Sequence, residues 1–167
     1  VNQLHVQVDL LCNQLIARRQ PIAIDLREVM AAIHAVNDLE RIGDEAKKIA
    51  YKVRHLDAYM RRDTLPLDKV QTMAGLVTSM LEQALDAFLR HDARASDDLV
   101  ERDRAVDKLR DELNDELVAR MSAEPGSVTA ALDLVFVVQS LERIGDHAKN
   151  IAEYVVNVVE GIDARHA

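Results

Sequence analysis

The chain has 167 residues, enough for one domain or two small ones with a real core. Hydrophobic residues make up 49% and charged residues 30%, with five Gly, three Pro, no Trp and 3% aromatics; this excludes a loop-rich or disordered chain and leaves a helical core of Leu, Val, Ile, Ala and Met. The formal charge of −8 excludes a general nucleic-acid binder, whose footprint is a basic face, and leaves attraction of cations or of a basic protein surface.

Apolar residues recur at helical spacing through Val1, Leu4, Val8, Leu11, Leu15 and Ile16, predicting a helix over 1–19. Pro21 breaks it and suits the start of the next helix. That helix is predicted over 22–57, through Leu26, Val29, Ile33, Val36, Leu39, Ile42, Ala46, Ile49 and Val53. The pattern lapses from Leu56 to Pro66, which reads as a linker with Asp63 or Thr64 as a cap. A third helix is predicted over 67–91, a fourth over 96–121 and a fifth over 128–160. Glu124-Pro125-Gly126-Ser127 separates the last two, with Ser127 as N-cap, and Gly161 ends the fifth. No segment alternates with period two for long enough to form a strand, so the fold class is all-α. The longest apolar run, Leu134–Val138, is far below the ~20 residues of a membrane span. Cys12 is the single cysteine and a core candidate. With no leader pattern at the start, the expected location is cytoplasmic.

Residues 39–50 read LERIGDEAKKIA and residues 141–152 read LERIGDHAKNIA. Ten of twelve positions agree at an offset of 102; only Glu45/His147 and Lys48/Asn150 differ. The chain therefore contains a duplicated unit. The second unit, 67–161, is a set of three helices, whereas the first, 1–58, has two, lacking the partner of helix 67–91. A two-helix hairpin leaves an apolar flank open, so the first unit is expected to borrow cover from the second or from another chain.

Each copy stacks two carboxylates one turn apart, Glu40 with Asp44 and Glu142 with Asp146. Taking Leu141 as the centre of the buried stripe, Glu142 and Asp146 fall on its shoulder at roughly 100° and 140°, and Arg143 faces nearly away. Solvated helix acids paired with Lys47 and Lys149 would look the same, and single pairs of this kind usually do little. Their repetition at one helical phase favours a shared role, as does the cost of about 0.2–0.5 kcal/mol for stacking like charges. Gly43 and Gly145 interrupt the helices between the acids at ~1 kcal/mol each relative to alanine. Such glycines are expected to admit a neighbouring helix at close range. Asp103 and Asp107 on the fourth helix are the nearest further acids, although Asp111 and Asp115 continue that series outward. Clustered carboxylates suit hard cations such as Mg²⁺, Ca²⁺ or Mn²⁺, or iron. His147 points to another face and reads as a surface residue. No histidine has a Glu three positions before it, which excludes the Glu-x-x-His di-iron motif. Phosphate-cradling glycine loops, nucleophile elbows and Cys-x-x-Cys are absent too.

The doubled LERIGD-x-A-K/N-x-I block resembles the PhoU family of phosphate-uptake regulators. Further matches are Pro21-Ile22-Ala23-Ile24-Asp25-Leu26-Arg27, similar to the family's P-x-A-x-DLR helix start, and Asp103-x-x-Val106-Asp107. The resemblance covers essentially the whole chain. It implies a PhoU-like pair of three-helix bundles, the first here without its N-terminal helix, forming a cytoplasmic homodimer that is not an enzyme. It also implies negative regulation of phosphate uptake and starvation signalling, through contacts with a phosphate ABC transporter ATPase and a sensor histidine kinase. Membrane association would be peripheral, through these partners, and no nucleic acid is involved. The family's acid-x-x-x-Asp motif falls on Glu40/Asp44 and Glu142/Asp146, with Asp103 and Asp107 beside the second pair, as metal sites for Mg, Mn, Zn or Fe. The family's Asn is kept as Asn150 but is Lys48 in the first copy, and the second site is expected to be the stronger. Two other readings compete: a PhoU-like module of another ion transporter, and a metal-dependent phosphohydrolase built on the same acids.

Overall fold

The computed structural model describes residues 2–56 and 65–162. Five α-helices follow one another: α1 (Asn2–Arg19), α2 (Ala23–Leu56), α3 (Leu67–Arg90), α4 (Ala95–Ala123) and α5 (Val128–Glu160). Among the described residues there is no strand, and every helix end lies within two residues of its predicted position. No helix of the described residues is long and apolar enough to cross a membrane.

The stops have local causes. Gln20 and Ala23, on either side of Pro21 and Ile22, take positive φ of 50° and 48° and turn the chain between α1 and α2. Asp63 and Thr64, the expected caps of α3, lie outside the described residues, and Pro66 occupies the cap position with no side-chain bond. Ser127 does not cap α5 through its side chain. Its hydroxyl donates to the Glu124 carbonyl at 2.7 Å and closes the 3₁₀ turn Pro125–Ser127 instead. Gly161 ends α5 in the left-handed conformation (φ 74°), its N–H donating to Asn157 O at 3.0 Å. A Cβ there would sit 3.3 Å from the Arg27 guanidinium, so both backbone and space favour glycine.

α5 is the central helix. It packs against α3 and α4 on one side and runs along α2 on the other, whereas α1 packs mainly on α2. Met73, Val77 and Met80 of α3, Leu99, Val106, Leu113 and Leu117 of α4, and Leu134, Val138 and Ile151 of α5 fill the main core. Each fully buried side chain of this size contributes roughly 2 kcal/mol through removal from water. The first unit does borrow cover, since α2 buries Ala31, Ala35 and Ile42 in its packing with α5. Its α1 keeps Leu4, Leu11 and Leu15 exposed while Cys12 turns inward. Burial, helped by the charge of Asp9, pushes the Cys12 thiol above its ordinary pKa.

Gly145 is buried on the side of α5 that meets α3 and α4. A Cβ built on it would lie 3.7 Å from Val106 Cγ1 and 3.8 Å from Met80 Cε and Val77 Cγ2. These are ordinary contact distances, so the close approach expected of this glycine is not what it provides. Gly145→Ala is therefore expected to stabilise the protein by about 0.5–1 kcal/mol, through helix propensity and a less mobile unfolded chain. Chemical denaturation would show this as a raised midpoint at unchanged slope.

Candidate functional site: two polar seams on α5

The first seam lies between α4 and α5 and gathers all four acids predicted for the second unit. Arg110 Nη1 bridges Glu142 at 2.6 Å and Asp107 at 2.9 Å, and its Nη2 reaches Asp111 at 3.0 Å. One turn away, Lys149 bonds Asp103 and lies 3.6 Å from Asp146. The shoulder reading holds, since the Glu142 side chain is 23% exposed and that of Asp146 51%. Asp103 is buried on α4 beside Val106. Two cations thus stand among five carboxylates, the four predicted ones and Asp111. Burial opposes the charge on Lys149, yet the Asp103 hydrogen bond and the charges of Asp103, Asp146 and Glu153 raise its pKa above the ordinary lysine value. Hydrogen bonding to Asp111 and Glu142, aided by nearby acid charges, raises that of Arg110 despite some burial.

Glu40 and Asp44 are placed differently. Glu40 is half-buried and Asp44 exposed, and among the described residues neither has an ion pair or a side-chain hydrogen bond. α1 packs on α2 as α4 packs on α5, but among the described residues it gives Glu40 and Asp44 no ion pair like those of Arg110 and Lys149. No group of three or more His, Cys, Asp or Glu is arranged among the described residues to hold a metal. The donor chemistry is nonetheless all oxygen and suits a hard cation.

The second seam, between α2 and α5, was not foreseen. It is built around His147, which the sequence reading placed at the surface, and around Asp38 and Tyr154, which helical spacing does not single out. Asp38, 5% exposed, takes His147 Nδ1 at 2.7 Å on one oxygen and the Tyr154 hydroxyl at 2.7 Å on the other. His147 is 16% exposed and faces α2, so its assignment to the surface is corrected. Burial pushes the Asp38 carboxyl up, but hydrogen bonds from His147, Tyr154 and Asn150 together hold it below the usual carboxylate range. Glu45 is the second buried acid of α2. Lys48 bonds its Oε1 at 2.7 Å and Arg143 approaches it at 3.5 Å, while Oε2 is buried without a hydrogen-bond partner among the described residues. Burial raises its pKa, and bonds from Lys48 and Ser140 with the charges of Lys48 and Arg143 outweigh that and lower it. Arg143 thus leans toward α2, not simply away from the core. The single-stripe reading failed because α5 is covered on two sides.

The register of this seam is regular. Steps of seven along α2, from Asp38 to Glu45 to Lys52, meet steps of seven back along α5, from His147 to Ser140 to Asp133. With copies offset by 102, Asp38 corresponds to Ser140 and Glu45 to His147. The Asp38–His147 contact is thus the counterpart of the Ser140–Glu45 contact, and the repeats are related by a local two-fold axis through the LERIGD motifs. The two positions at which the motifs differ, Glu45/His147 and Lys48/Asn150, are seam positions. Lys48 bonds Glu45, and Asn150 faces Asp38 and helps to lower the pKa of its carboxyl. That divergence was the available signal.

Comparison with known proteins agrees with this architecture. The PhoU domain family model matches residues 1–53 and 70–155. A phosphate-specific transport system accessory protein PhoU homolog from Pseudomonas aeruginosa is 39% identical over 99% of this chain and 68% of its own length. The accessory protein PhoU of Escherichia coli K12 is 34% identical over 99% of this chain and 68% of its own. The crystal structure of PhoU from Pseudomonas aeruginosa superposes with a TM-score of 0.89 at 39% identity, covering 96% of this chain and 77% of that one. The crystal structure of the phosphate transport system regulatory protein PhoU from Streptococcus pneumoniae gives 0.86 at 29% identity, covering 96% and 74%. The helical architecture, the doubled motif and these matches agree: the chain belongs to the PhoU family.

Proposed function

We propose that this chain is a negative regulator of phosphate uptake and of phosphate-starvation signalling. It acts in the cytoplasm by binding a phosphate ABC transporter ATPase and a sensor histidine kinase, and it works as a regulator and not as an enzyme. The observation that carries this reading is the 39% identity, along 99% of the chain, to a protein named as an accessory of phosphate-specific transport. The apolar face that α1 leaves exposed supports pairing of two copies. The test is complementation in cells that lack their own such regulator and carry a phosphate-responsive reporter. The expected result is silencing in high phosphate and co-purification of the ATPase or the kinase. A reporter that stays on, with neither partner recovered, would overturn the proposal, and turnover of phosphate esters with Mn²⁺ would point to the phosphohydrolase instead.

Carboxylate metal sites belong to the same proposal, at Glu142 and Asp146 with Asp103 and Asp107, and at Glu40 with Asp44. When bound, a hard cation would tie α4 to α5 electrostatically. It competes with Lys149, which already lies between Asp103 and Asp146. Two outcomes are expected for Mn²⁺ measured by equilibrium dialysis. Glu142→Ala with Asp146→Ala loses the ion of the second unit and keeps that of Glu40 and Asp44, and Lys149→Met, which removes the competing ammonium, binds the second-unit ion about tenfold more tightly, a gain of about 1.4 kcal/mol. Equal binding by all three proteins would refute the second-unit site.

A further inference from the structure

The two ends of the α2–α5 seam are counterparts under the local two-fold, yet one is closed and the other open. At the closed end Tyr154 stands 5.3 Å from the His34 ring and bonds Asp38. The counterparts of Tyr154 and His34 are Lys52 and Phe136. Lys52 bonds Asp133 at 2.6 Å, and its ammonium lies 4.6 Å from the centre of the Phe136 ring. With a lysine in the place of the tyrosine, this end opens into a cavity of about 520 Å³ with mostly apolar walls. That is within the range of small-molecule sites, roughly 300–1,000 Å³.

The lining combines two chemistries. Lys47, Lys48, Lys52 and Arg143 place four cations around it against the single acid Asp44, in a chain whose net charge is −8. Lys48 and Arg143 share the Glu45 carboxylate, the latter at 3.5 Å, and Lys52 is held by Asp133, whereas Lys47 has no acidic partner among the described residues. Tyr51 and Phe136 supply ring surfaces, and Gln139 and Ser140 supply neutral polar groups. Cations together with ring surfaces suit an anion attached to a flat aromatic body. A bare phosphate would leave the rings unused, and a lipid tail would leave Gln139 and Ser140 unmatched.

The geometry points to this cavity as a binding site for a nucleoside phosphate. Its phosphates lie against Lys47 and Arg143 and its base against Tyr51 and Phe136. The inference stands on the cavity alone and does not rest on the proposed role in phosphate transport. It is tested by equilibrium dialysis of the chain with ADP, adenosine and inorganic phosphate, at low ionic strength with a chelator present, so that the carboxylate metal sites play no part. ADP is expected to bind at least about tenfold more tightly than either of the others. Lys47→Glu with Arg143→Glu should lower ADP affinity at least about tenfold, whereas Lys108→Glu, an exposed charge reversal on α4, should leave it unchanged. Tyr51→Ala with Phe136→Ala should reduce ADP to the affinity of inorganic phosphate. All four replaced side chains are exposed, so loss of binding with an unchanged melting temperature is loss of the site. The proposal is overturned if ADP does not bind, if inorganic phosphate binds equally well, or if either double variant binds ADP as the parent does.

Discussion

Asp38→Ala is expected to cost about 3 kcal/mol, because it removes one partner from a buried, hydrogen-bonded cluster and leaves the others without theirs. His147 and Tyr154 both direct polar atoms at this carboxylate, and Asn150 also favours its charged form. A pH series gives an independent check. The folded carboxyl has a lower pKa than the ordinary 3.8, so its contribution is fully present above about pH 4 and is lost as pH falls through the folded value. Asp38→Asn should remove this part of the acid destabilisation while keeping the side-chain volume. Denaturation midpoints from pH 7 down to about 3 would measure both effects. An Asp38→Ala protein as stable as the parent would show that the seam is not energetically coupled. A double-mutant cycle with His147→Ala should give a coupling of about 1–3 kcal/mol.

The second large effect is expected from Leu113→Ala. Leu113 is fully buried on α4 within the core shared by α3, α4 and α5. Truncation loses the transfer free energy of the removed atoms and leaves a cavity that rigid helices only partly close, about 3 kcal/mol in total. In a chain of this size that lowers the melting temperature by about 6–12 °C. Calorimetry would read it directly. Val118→Ala on the same helix, where the side chain is exposed, should change stability by less than about 0.5 kcal/mol. The contrast checks that burial, and not helix propensity, sets the cost.

Much of the fold is written locally. Spacing of apolar residues, Pro21, the Glu124–Ser127 breaker and Gly161 place five helices to within two residues, because helices are specified by short-range periodicity and stops. The doubled motif was equally legible, and so was the shoulder position of Glu142 and Asp146, which needs only the helical repeat. The neighbours of those acids were not. Arg110 and Lys149 become their partners only when α4 lies beside α5.

The reading of His147 as a surface residue failed for a related reason. A helical wheel assigns one inward direction per helix, whereas α5 is enclosed from two sides and has buried residues around much of its circumference. Asp38 drew no notice because a lone acid on a helix gives no local sign that an antiparallel helix will bring a histidine and a tyrosine to it. Local rules thus determined the helices, the repeat and the family of this protein. Which acids are neutralised, which are left open, and where a cationic cavity forms were decided by the register of α2 on α5 and of α4 on α5. Those registers depend on contacts between residues far apart in the chain, and local periodicity carries no information about them.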